Sequence, residues 1–111
     1  DPLMDLGGAL AYWVQADDDP VFQSFRRQPT HAPGMLTRRE VVDYYGERTG
    51  WSVEHFDFHE VFGLFRLQVI VQQIYRRFAL GQTSNPQFAG FGDAAKYLAQ
   101  RCRRRIAASG L

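Results

Sequence analysis

Apolar residues recur along this chain at three- and four-residue steps, and nowhere do they alternate with period two over a useful length. That spacing predicts helices and no strand. Leu3, Leu6, Leu10 and Val14 make the first apolar face, which residues 15–20 end. Gly7 and Gly8 weaken this helix but permit a neighbouring backbone to come close. A short helical turn follows through Val21, Phe22 and Phe25, and then Pro29, Pro33 and Gly34 mark a loop. Thr37 and Glu40 have the spacing of a capping box ahead of Val41, Tyr44 and Tyr45, and Gly50 is the stop. The longest element is predicted over residues 57–80, about 36 Å of helix. Asp57 and Glu60 offer a second box-like start. Its apolar positions, from Phe58 through Phe62, Phe65 and Ile70 to Phe78, run nearly all the way round. A helix of that kind is surrounded by other elements. It is also long for a domain whose radius of gyration should be about 13 Å, so part of it is expected to lie under something else. Gly81 ends it, residues 83–90 read as loop, and a last helix over about 92–108 turns Ala95, Leu98, Cys102 and Ile106 inward. The expected fold is all-α, with about four main helices, one long and central, in a single subdomain over residues 1–111.

Composition narrows the functional classes. Hydrophobic residues make up 45% and aromatics 14%, enough for a packed core. A net charge of +1 argues against a dedicated nucleic-acid binder. Cys102 is the only cysteine, so no internal disulfide forms, which fits a reducing, cytoplasmic compartment. No apolar run reaches the length of a membrane span.

Few residues carry candidate chemistry. Asp1 reads as an N-cap with Pro2 at the first helical position, and Asp5, one turn on, is either solvated or an anchor to another segment. His55 and His59 stand four apart beside Asp57 and Glu60, but no third ligand is fixed by spacing, so no metal site is assigned. The long helix has one polar stripe, His59, Gly63, Arg66, Gln73 and Arg77. It is either a plain solvated face or the wall of a substrate cleft, where two arginines suit an anionic acceptor. Asp17, Asp18 and Asp19 read as solvent-facing loop, or as a site for a cationic acceptor. Arg101, Arg103, Arg104 and Arg105 form the one dense basic cluster, with three of the four free to stay in water at the end of the last helix.

Two stretches resemble a known family. The opening Asp1-Pro2-Leu3-Met4-Asp5-Leu6-Gly7 resembles the Gly-Asp-Pro-x-x-Asp-Leu-Gly/Ala segment of the aminoglycoside-phosphotransferase-like kinases. It looks closest to the branch found as stand-alone bacterial phosphotransferases and fused to acyl-CoA dehydrogenases. That branch has a long helix where this chain has residues 56–91, and Ile74-Tyr75-Arg76-Arg77 and Leu80-Gly81 fit its Tyr-x-Arg and Leu-Gly features. The likeness covers nearly the whole chain. It implies the C-terminal helical subdomain of a kinase-like fold, packed beneath a catalytic loop that this sequence lacks along with the N-lobe. It also implies that Asp5, with Asp1 as cap, holds that loop, and that Arg66, Gln73 and Arg77 contact the acceptor, for instance a phosphate-bearing acyl-CoA-like molecule. The parent would transfer the γ-phosphate of ATP, with magnesium, to a hydroxyl of a small molecule.

The chain itself supplies no catalytic residue, metal site or cofactor. The His55-Phe56-Asp57 triplet mimics the family's His-x-Asp, but residue 62 is Phe where the metal-binding Asn should be, and the triplet follows the Asp-Pro word instead of preceding it. The expected partners are the missing lobe and the acceptor, with no nucleic acid and no membrane. The isolated chain is expected to be inactive and to self-associate through Phe58, Phe62 or Phe65. The rival expectation is a free-standing helical module that binds a protein or an anionic surface.

Overall fold

The computed structural model describes residues 2–82 and 86–109. Its helices are α1 (Pro2–Leu10), α2 (Pro20–Gln23), α3 (Arg38–Thr49), α4 (Phe56–Ala79) and α5 (Phe91–Ser109), with a 3-10 turn at Pro86–Gly90 ahead of α5. No strand occurs among the described residues. The fold is all-α, four main helices and one single turn, with α4 as the long axis against which α1 and α5 pack.

The local signals explain most boundaries. Thr37 and Glu40 close the capping box of α3, each side chain accepting from the other residue's backbone N–H, and Gly50 ends that helix at φ +73°. Asp19 caps α2, its carboxylate accepting from the Phe22 N–H at 2.8 Å with Pro20 in the first turn. Gly81 leaves α4 at φ +75°. Three boundaries depart from the periodicity. α1 stops at Leu10, and turn-type bonds from Tyr12 and Trp13 carry the chain on to Val14, which still reaches the core. α4 starts at Phe56 with no side-chain cap, because Asp57 and Glu60 both accept from Arg105 instead. Part of the segment read as loop forms the 3-10 turn, while Thr83, Ser84 and Asn85 lie outside the described residues.

The crossing of α1 over α4 depends on two glycines. A Cβ at Gly7 would run into the backbone carbonyl of His59, and one at Gly63 into the carbonyl of Gly7. Backbone therefore meets backbone, as expected for Gly7; Gly8 faces open space. Gly63 thus belongs to a helix contact and not to a polar stripe, since it is buried against α1.

Two apolar clusters flank this crossing. Ala11, Val14, Phe22, Leu64, Leu98 and Cys102 form the larger, joining α2, α4 and α5. Leu10, Val42 and Phe56 form the smaller, which seats α3. Ile106, expected to face inward, is 37% exposed because α5 has passed the end of the larger cluster. The radius of gyration is 15.1 Å and the long dimension 48 Å, more extended than a compact domain of this length. α4 is not enclosed: Phe58 and Phe65 on its outer side are 50% and 52% exposed. No helix of the described residues is long and apolar enough to cross a membrane.

Candidate functional site

The acidic run at the end of the α1 loop is a structural hub, which corrects both readings made of it from sequence. The Asp18 side chain is 7% exposed. It accepts two hydrogen bonds from the Arg38 guanidinium, at 2.6 and 2.8 Å, and a third from Arg101 at 3.2 Å. The backbone N–H of Gln15 donates a fourth at 2.8 Å. Burial by itself would raise the Asp18 carboxyl, but the hydrogen bonds from Arg38 and Gln15 and the charges of Arg38 and Arg101 together hold it below its ordinary 3.8. Asp19 behaves alike: against its desolvation, the hydrogen bonds from Tyr97 and the Phe22 N–H, then Arg101 and Arg104, lower it. Only Asp17 is left exposed.

Arginine stems complete the hub. Arg101 lies over the Phe22 ring at 3.9 Å, and Phe22, Phe25 and Tyr97 pack ring against ring with centroids 5.5–6.3 Å apart. The Tyr97 hydroxyl donates to Asp19 at 2.6 Å, and burial followed by that bond raises its pKa. Arg38 also donates to the Trp13 carbonyl, while Trp13 Nε1 donates to the Leu36 carbonyl at 2.9 Å. Thr30, the buried polar side chain of the second loop, donates to the Val14 carbonyl at 2.6 Å. Two loops and three helices are thereby tied at one point.

This geometry divides the basic cluster of α5. Arg101 is 12% exposed on its side chain, Arg105 is shared by Asp57 at 3.0 Å and Glu60 at 2.9 Å, and Arg104 lies beside Asp19 and over Tyr97. Arg101 and Arg105 are committed to the chain's own acids, while Arg103 and Arg104 are exposed, Arg104 with its side chain 61% so. Cys102 is buried, which raises its thiol and keeps it inert.

Two cavities adjoin the hub. A polar one of about 430 Å³ opens between α3 and the α4–α5 pair, lined by Gln15, Arg38, Arg39, Asp57, Glu60 and Arg105. An apolar one of about 500 Å³ lies on the other side, against Phe22, Phe25, Leu67, Ile70, Val71 and Leu98. Neither is lined by a histidine or the cysteine. Among the described residues no three His, Cys, Asp or Glu side chains gather at a metal-sized point.

The residues singled out for substrate contact are not brought together with either cavity. Arg66, Gln73 and Arg77 are exposed on one side of α4, beyond the reach of α1. Asp5 is exposed in the first turn of α1, and Asp1 lies outside the described residues. His55 is exposed, and His59 is half-buried against the rings of Phe56 and Phe58. Sequence reasoning gave Arg38 no role and paired neither Asp18 nor Arg101 with another segment. The one local signal was Asp19-Pro20, the start of a capped helix inside an acid run.

Known proteins resemble the chain only at a distance. It is 28% identical over 102 residues to mouse acyl-CoA dehydrogenase family member 10. The match takes in 90% of this chain but 9% of that much longer protein. No family model matches, and no solved structure does.

Proposed function

We propose that this chain is the C-terminal helical part of an ATP-dependent small-molecule phosphotransferase, serving as scaffold and as part of the acceptor site. The observation that carries this reading is the pairing of a sequence word with a relative. The Asp1–Gly7 word and the long helix resemble the kinase-like branch fused to acyl-CoA dehydrogenases, and 90% of the chain matches a protein named for that family. The all-helical architecture, with α1 crossing a long α4, is compatible with such a subdomain. Magnesium and ATP belong to the parent, whose catalytic loop would lie upstream. Asp5, exposed on α1, is free to anchor that loop.

In this reading the exposed Arg66, Gln73 and Arg77 face the acceptor once the rest of the protein is in place. The side of α4 that α1 occupies near Gly63 continues into this stripe without cover. Guanidinium groups there suit an anionic acceptor. The isolated chain should neither bind nor turn over Mg-ATP. In the longer protein, Arg66→Ala or Arg77→Ala should raise the acceptor KM with ATP kinetics unchanged. Loss of one charge-assisted hydrogen bond, about 1.5–3 kcal/mol, corresponds to roughly 10- to 150-fold. Wild-type acceptor kinetics in both variants would remove the substrate role. An upstream sequence without His-x-Asp-x-x-x-x-Asn would remove the phosphotransferase reading itself.

The rival, an interaction module for anionic surfaces, loses support from the α5 arginines, because Arg101 and Arg105 are spent on internal acids.

A further inference from the structure

α4 carries a second periodicity on its outer side. Phe58, Phe62, Phe65, Val69, Gln72 and Arg76 follow one another at alternating four- and three-residue steps. That is the 3.5-residue repeat of a coiled-coil seam. It is separate from the side that holds Gly63 and Leu64, both buried by neighbouring elements. Phe58 and Phe65 are half exposed, Phe62 and Val69 partly so, and Gln72 and Arg76 open to water. The Phe58 and Phe62 rings already stack on each other with centroids 6.3 Å apart, so the seam presents a formed aromatic ridge.

We propose that this seam pairs with the same seam of a second copy of the chain, the two α4 helices running antiparallel. Self-complementarity selects the occupant. The apolar stretch from Phe58 to Val69 has its midpoint between Gly63 and Leu64. A two-fold axis there sets Phe62 of one copy against Phe65 of the other, and Phe58 against Val69, so every apolar position meets an apolar position. Charge selects the direction. The acids of α4, Asp57 and Glu60, stand at its start and are paired with Arg105. Every charged residue of α4 after Glu60 is an arginine: Arg66, Arg76 and Arg77. Antiparallel pairing in this register puts the Arg76 of each copy at opposite ends of the pair and opposes the helix dipoles, whereas parallel pairing stacks Arg76 beside Arg76 and aligns the dipoles.

Area sets the strength. Half-exposed phenylalanines offer roughly 100 Å² each, so the aromatic ridges of a pair would bury on the order of 500 Å² of apolar surface. Stable complexes bury about 1,200–2,000 Å² in all, which makes this a weak, concentration-dependent dimer. The inference rests on α4 alone and stands or falls separately from the phosphotransferase reading.

Sedimentation of the 111-residue chain from micromolar to millimolar concentration, together with disulfide trapping, tests it. The chain should pass from monomer to dimer, and Phe65→Glu should hold it monomeric with unchanged helical circular dichroism. In a Cys102→Ala background, a mixture of Phe58→Cys and Val69→Cys chains should cross-link to each other faster than Phe58→Cys chains cross-link among themselves. A monomer at every concentration, a dimer indifferent to Phe65→Glu, or faster trapping of Phe58→Cys with itself would each overturn the proposal. Should Phe65→Glu unfold the chain, the cysteine pairs decide on their own.

Discussion

Arginines occupy two contrasting regions of this molecule. Around Asp18, Arg38 and Arg101 have side chains 16% and 12% exposed and share one buried carboxylate. Along α4, Arg66, Arg76 and Arg77 are exposed and form no ion pair among the described residues. The residue type is the same and so is the element type, since Arg101 and Arg77 both sit on helices flanked by further arginines. What differs is whether another segment delivers an acid. At the hub, residues 18 and 19 arrive from a loop some eighty positions away from α5 (sequence separations of 83 and 78). Among the described residues nothing comparable reaches the end of α4. A paired arginine holds the fold, and an unpaired one is available to bind.

The largest effect that would break this contrast is removal of the shared acid. Asp18→Ala leaves the buried Arg38 guanidinium without its acid and Arg101 with only Asp19, at 3.7 Å, a change that costs about 3–5 kcal/mol. Domains of this size are stable by only about 5–15 kcal/mol, so the variant should be near unfolding in thermal or denaturant melts. A melting curve like that of the wild type would show that the hub is decorative.

Arg101→Ala should cost less, about 1–2 kcal/mol, because Asp18 keeps Arg38 while the stacking on Phe22 is lost. Denaturant midpoints at constant slope would measure it. A loss as large as that of Asp18→Ala would mean that Arg101, and not the acid, is the keystone.

Acid sharpens the comparison without mutation. Asp18 and Asp19 both titrate below their ordinary 3.8 in the folded chain. A carboxyl lowered by folding adds stability that is complete above its unfolded value and disappears as pH falls through its folded value. Stability should therefore drop below about pH 4, and Asp18→Asn should flatten the part of that drop due to Asp18. An unchanged acid limb in Asp18→Asn would place the protonation elsewhere.

The smallest effect belongs to the other region. Arg66→Ala and Arg77→Ala should each change the stability of the chain by less than about 0.5 kcal/mol, since neither is buried or paired. A loss above about 1 kcal/mol in thermal melts would contradict their free state and, with it, their availability as ligand contacts.

The sequence by itself determined the elements. Thr37, Glu40, Gly50 and Gly81 act within one or two turns of their own position, so capping and stopping are readable locally. The three- and four-residue spacing of Ala95, Leu98 and Cys102 likewise marked the face that α5 turns to the core, whereas the all-round apolar pattern of α4 did not tell buried Leu64 from exposed Phe65. Gly7 was legible as a place of close approach, but its partner was not, because nothing near Gly63 in sequence records that α1 crosses there. The tertiary structure alone decided which charges are structural. Asp18 sits in a run of three acids and Arg101 near a run of three arginines, patterns that look solvated in isolation. An ion pair needs two groups within a few ångströms, and here they come from segments far apart along the chain. Local pattern fixes how a helix begins, ends and turns its apolar side, because those interactions span at most a few residues. The partner of a charge is fixed only when the helices have packed.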